Sequence, residues 1–298
     1  MDYKKIIRQA IDLHVHIGPE IIPRKYQNVE ELIKDQKGKI GGVGIKNHFF
    51  PAISSVKNKK IKIINSVTLN NYQGGFNSEV ARACAEISDS PITVWFPTIS
   101  ADNFLEKQEY ELDKKWIDPK LRNKSSLKKA EEVKGLNIFD KSGKIKNEVI
   151  RVLKIIKKYN AILATGHISW QESFELVKKA KEIGIEKIII THPIYQKIDM
   201  PIERQKRLTE TGAYIEQCYS MYSIDKIAIK KIAEQIKYLE SKNCIISSDV
   251  GQVFSKAPSE ALKDFIVLLE KEGLEEKDFK KMLIDNPEKL IDTPSLSV

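Results

Sequence analysis

The sequence predicts an α/β protein built as an eight-stranded (β/α)8 TIM barrel. Short runs rich in Val and Ile recur along the chain, a capped helical pattern follows them, and 298 residues hold eight such units. The runs are IDLHVHI (11–17), GGVGIKNH (41–48), KIINSVTL (62–69), ITVWFPT (92–98), AILATGH (161–167), KIIITH (187–192), AYIEQC (213–218) and CIISSD (244–249). Mostly uninterrupted apolar strands suit burial on both faces, which favours a barrel over its alternative, an open doubly wound sheet. No G-x-G-x-x-G follows the first strand, so the dinucleotide-binding form of that alternative is excluded. Between the strands, Asn28 with Glu31 reads as a capping box on a helix closing at Gly38, and Ser169 with Glu172 as another. Pro201 opens a helix that ends before Gly212. The connection from Ser100 to Asn160 is too long for a bare loop. It predicts extra helices, a hairpin around FDKSGK, and the ordinary fourth helix from Asn147 to Tyr159. The chain therefore reads as a single domain, 1–298, with an insertion after strand four at about 100–146.

Composition narrows the function classes. The net charge is +9, and the stretch from Lys107 to Lys158 alone holds 16 Lys/Arg against 8 Asp/Glu. These lysines alternate with acids as on solvated helices and carry no interleaved aromatic motif, which argues against nucleic acid as a partner. The opening MDYKKIIRQA is charged where a signal peptide needs an apolar core, and no apolar run has membrane-spanning length, so the expectation is a cytoplasmic protein without a membrane partner. Homo-oligomerisation stays open. Cys84, Cys218 and Cys244 lack C-x-x-C spacing and read as buried thiols.

The chemistry lies in the histidines. Strand alternation puts His14 and His16 on one face of the first strand and Leu13, Val15 and Ile17 on the other. His48 ends strand two, His167 strand five and His192 strand six, and the chain has no other histidine. All five stand at C-terminal strand ends, the catalytic face of a barrel. Imidazoles alone leave a divalent charge uncompensated, and Asp249 at the end of strand eight, beside strand one, supplies the carboxylate.

This arrangement resembles the amidohydrolase superfamily of metal-dependent TIM-barrel hydrolases. The segments DLHVHIGPE, KNHFFP, LNNYQGGFN, ATGHIS and THP look like one branch of it, whose substrates do not come with the resemblance. It implies a divalent metal, zinc first with manganese, iron or nickel as alternatives, held by His14, His16, His167 and Asp249, with His192 beside the bound water. Strand four reads TVWFPT and lacks the carbamylated Lys or Glu that bridges two metals in binuclear members. Lys46 and His48 share a strand face and point into the same site, so His48 is a candidate ligand for a second metal. Lys46 is then either carbamylated or grips an anionic substrate; the second role needs no modification and is favoured. A further resemblance, to the polymerase-and-histidinol-phosphatase phosphoesterases, lacks its closing Asp-x-His: Val250 and Gly251 follow Asp249.

The expected reaction is hydrolysis of an amide, lactone or ester bond of a small anionic substrate, with Asp249 moving the proton and His192 orienting the water. Nonoxidative decarboxylation and a non-catalytic metal-binding barrel are the alternatives. Gly74, Gly75 and Asn77, before the helix beginning near Ser78, offer a docking point for an anionic group, or else an ordinary glycine turn. Arg24 and Tyr26, on the loop after strand one, are further candidates for the pocket. Glu216 shares a face with Tyr214 and Cys218, and the sequence alone leaves its direction open.

Overall fold

The computed structural model describes residues 1–56, 60–89, 91–122 and 127–292. Among the described residues nine strands form two all-parallel sheets. The first holds β1 (Ile11–His16), β2 (Gly42–Lys46) and β3 (Lys62–Ile64) in that order. The second runs β4 (Ser66–Thr68), β5 (Thr93–Trp95), β6 (Ile162–Ala164), β7 (Ile188–Ile190), β8 (Tyr214–Cys218) and β9 (Cys244–Ser247). All eight predicted runs are strands. The third is divided at Asn65, whose two halves pair with different sheets.

Asn65 stands at that division with its side chain held by other segments. Its Oδ1 accepts from the Ser54 N–H at 2.9 Å and its Nδ2 donates to Ser88 Oγ at 3.0 Å. The sheets meet where Ser66 Oγ donates to the Ile45 carbonyl at 2.6 Å. Beyond β9 the Asp249 N–H donates to the His14 carbonyl at 2.9 Å, and the His16 N–H to the Val250 carbonyl at 2.8 Å.

Amphipathic helices cover one face of the strands, and the main core fills the space between. A smaller cluster on the other face joins Ile11, Leu13, Trp95, Ile189 and Ile245, with Leu290 of the helix Asn286–Ile291 packed against it. The helix punctuation is confirmed with one change. Ser169 and Glu172 form both halves of a capping box, whereas Glu31 takes the Gln27 N–H at 2.8 Å and leaves Asn28 as a simple cap. Between residues 100 and 146 lie the short helices Asp102–Leu105 and Pro119–Arg122, the 3-10 turns Lys114–Trp116 and Ala130–Glu132, and a hairpin joining Phe139 to Ile145. The described cysteines are free and buried. Among the described residues no helix is long and apolar enough to cross a membrane.

Simple alternation fails on β1. Asp12 pairs with Val43 but Val15 pairs with Ile45, so β1 carries one extra residue there, a β-bulge. The bulge corrects the expected face of Leu13: it lies with Ile11 in the smaller cluster, apart from Val15 in the main core, while His14 and His16 keep their shared direction. Asp12 holds the bulge, its Oδ1 accepting from the His14 N–H at 3.2 Å and the Ser248 N–H at 2.9 Å. Gly44 makes room opposite, since a Cβ there would stand 2.5 Å from the Leu13 carbonyl oxygen.

Candidate metal centre

The strand ends bring all five histidines into one row, four of them buried and His167 half-buried. Ring centroids run His48 to His16 at 4.6 Å, His16 to His14 at 5.2 Å, His14 to His192 at 5.9 Å and His192 to His167 at 5.1 Å. Asp249 joins the row at its middle, Oδ1 lying 3.0 Å from both His14 Nε2 and His16 Nε2. Its other oxygen accepts from Ser220 Oγ at 2.6 Å. His192 (φ 21°) and Asp249 (φ 51°) both leave their strands through left-handed backbone, which turns their side chains toward the row.

Electrostatics keep these groups in ligand form. Burial drives the pKa of His16, His48 and His167 well below the ordinary imidazole value and that of His192 down to about 4. Burial pushes the Asp249 carboxyl up, but His14 beside it and the hydrogen bond from His16 outweigh it and hold the group well below the usual carboxylate range. Neutral imidazoles and an ionised carboxylate are the forms that bind a divalent cation.

Glu216 faces inward and is fully buried, its carboxylate oxygens 3.2 and 3.3 Å from His14 Nδ1. A carboxylate on that nitrogen leaves Nε2 to the metal side and fixes the ring. Lys46, also buried, sets Nζ 2.9 Å from His14 Nε2 and 4.1 Å from the Trp95 ring centroid, and burial lowers its pKa to about 8. It lies beside the donors and does not line the cavity above them. Arg24 does line that cavity, its Nη2 3.4 Å from His16 Nδ1 and 2.6 Å from Glu20 Oε2. Glu20 in turn takes the His48 N–H at 2.6 Å.

All of the row but His14 lines the floor of a cavity of about 300 Å³. His16, His48, His167, His192, Asp249 and Ser220 face it from below. Its wall is mainly apolar and comes partly from the 100–146 stretch through Trp116, Ile117 and Pro119. Gly74, Gly75 and Asn77 do not line the cavity. Asn77 caps the helix Ser78–Glu86 by accepting from the Glu79 N–H at 2.9 Å, and Gly75 faces Leu136, so these residues form the glycine turn. Tyr26 donates to Asp35 at 2.5 Å and is likewise absent from the lining.

The donor set fits a divalent cation. Ligand atoms of His14, His192 and Asp249 all lie within 4.8 Å of one another, and His192 Nδ1 and His167 Nδ1 are buried without a hydrogen-bond partner among the described residues. His16 reaches the same Asp249 oxygen, while His167 meets the set only through the His192 ring. Sequence reading missed Asp12, Glu20 and Ser220. Only Asp12, beside the H-x-H pair, carried a signal, as a charge in an otherwise apolar strand.

The fold is amidohydrolase-like, as the resemblance implied. An amidohydrolase from Pseudomonas aeruginosa superposes with a TM-score of 0.61 at 10% identity, over 97% of this chain and 98% of that one. A β-aspartyl dipeptidase from Fervidobacterium islandicum gives 0.55 at 16% identity, over 96% and 73%. The Escherichia coli phosphotriesterase homology protein, solved with phosphate in its active site, gives 0.52 at 10% identity, over 95% and 98%. The chain itself belongs to the family of unknown function DUF6282, whose model matches residues 9–216. No curated protein matches it.

Proposed function

We propose that this protein is a metal-dependent hydrolase acting on an amide, lactone or ester bond of a small anionic substrate. The observation that carries the reading is the convergence of all five histidines in one row joined by Asp249, with four of them and Asp249 lining one cavity. His14, His192 and Asp249 would hold a divalent cation, zinc first among the candidates, with His16 on the shared Asp249 oxygen and His167 and His48 at the two ends of the row. Such a cation lowers the pKa of a water to about 7 and polarises a carbonyl. Asp249 accepts the proton of the attacking water and returns it to the leaving group, while Ser220 and His16 keep its two oxygens oriented. Glu216 fixes the His14 ring, and Lys46 offsets the negative charge of Asp249 and Glu216 from within. The seams at His14–Asp249 and Ile45–Ser66 support reading the two sheets as one closed (β/α)8 barrel and the chain as a single domain whose 100–146 insertion walls the cavity.

The test is metal analysis of protein purified without chelator, followed by turnover on an amide, lactone and phosphoester panel. About one equivalent of metal is expected, with hydrolysis that falls by roughly 10³-fold in Asp249→Asn, within the range for losing a general base. Metal-free protein from metal-replete buffer, or turnover untouched by the substitution, overturns the reading.

A further inference from the structure

The cavity wall differs in kind from its floor. Above the histidines it presents Ile22, Ile99, Phe104, Ile117, Met221 and Ile224, and its rim carries Trp116, 38% exposed, and Phe254, 74% exposed. A ligand rich in hydroxyls would surrender water to these side chains without gaining partners, whereas an aryl or branched alkyl body would release water from both surfaces. Large apolar side chains left exposed at a mouth of this kind mark a binding surface.

The cations of the wall are unequal. Arg24 is committed to Glu20, and Lys115 to Asp113 at 2.9 Å. Arg122, in the helix Pro119–Arg122, has no ion pair among the described residues, and its guanidinium makes one hydrogen bond among them, a 3.5 Å donation to the Ile117 carbonyl. It lines the same cavity as Trp116 and Ile117 and presents a planar donor pair suited to a carboxylate.

We propose that the ligand of this cavity is an arylalkyl carboxylate, its apolar body against the Trp116–Ile117 wall and its anionic group on Arg122. This rests on reading the cavity as the substrate site, and it moves anion recognition from Lys46, which does not reach the cavity, to a residue of the insertion.

Calorimetry with 4-phenylbutyrate, 4-phenylbutan-1-ol and butyrate tests it, on protein as isolated and after chelator treatment. The acid with the ring is expected to bind at least tenfold more tightly than either the alcohol or butyrate. The preference should persist after metal removal, which separates Arg122 from a metal as the source of anion affinity. Arg122→Gln, with an unchanged melting temperature, should abolish the preference of acid over alcohol and leave the alcohol's affinity as it was. Equal binding of acid and alcohol, butyrate as tight as phenylbutyrate, a preference that vanishes with the metal, or no binding at all overturns the proposal. Turnover is not read here, so failure of the hydrolase reading and failure of this one are distinguishable.

Discussion

His16, His167, His192 and Asp249 reach the cavity floor from strands or from the residues just after them, whereas Trp116, Ile117 and Phe254 reach its wall from a 3-10 turn and loops. The floor is fixed by backbone hydrogen bonds such as Asp249 N–H to His14 and is packed at the centre of the molecule. The wall is fixed by side-chain packing near the surface and is partly open to water. A strand end tolerates little displacement, while a loop can change without disturbing the sheet beneath it. On the proposed function, chemistry and selectivity would be held by separable parts, and substitutions in the two regions should have different signatures.

The largest effect expected on the floor, after loss of Asp249, comes from backbone. Gly44→Ala would press a Cβ to 2.5 Å from the Leu13 carbonyl oxygen, and the bulge holding His14 would have to shift. A stability loss of about 3 kcal/mol in urea denaturation is expected, the upper range for overpacking; a loss below about 0.5 kcal/mol would show that the bulge is not rigid. Glu216→Gln should follow, weakening metal affinity about 10- to 100-fold in competition with a chromophoric chelator while the melting temperature changes little. Unchanged affinity would remove Glu216 from the orientation of His14.

Lys46→Met sharpens the account of the floor. His14 Nε2 has one lone pair and Lys46 Nζ lies 2.9 Å from it, so removing the ammonium should leave metal stoichiometry intact and tighten binding about tenfold, roughly 1.4 kcal/mol. Loss of a metal equivalent would instead make Lys46 a ligand. The smallest effect belongs to the wall. Burial, then the charge of Asp249, raises the Asp225 carboxyl to about 6, with Lys197 opposing the shift. Asp225 lines the cavity and is neutral below that value, so affinity for an anionic ligand should fall two- to threefold as pH rises from 5 to 7, an electrostatic weakening of about 0.5 kcal/mol. Asp225→Asn should flatten the profile, and a slope that survives the substitution would assign it elsewhere.

The sequence told more about the floor than about the wall, for physical reasons. Val- and Ile-rich runs made the strands recognisable, and five histidines at run ends, with Asp249, marked their common destination. The face of Leu13 was misread because alternation assumes a regular strand, and the extra residue depends on Gly44 in the neighbouring strand and on Asp12 bonding across to Ser248. At the division, the Asn65 side chain likewise bonds to Ser54 and Ser88, partners 11 and 23 residues away. Trp116 and Ile117 sit at a 3-10 turn and Arg122 in a one-turn helix, all too short for periodicity, so nothing local announced that they face the cavity. Gly74, Gly75 and Asn77 did carry a local signal, and it was that of a turn.

The left-handed backbone at His192 and Asp249 has a consequence for how such a protein would change under selection. Residues held there cost of order 1–3 kcal/mol each, and glycine adopts the conformation freely. A population selected only for abundance would drift toward glycine at both positions, gaining stability as the donors vanish. Retention of His192 and Asp249 in a lineage would thus be a record of continuing use, and their replacement the first mark of a fold kept for its shape alone.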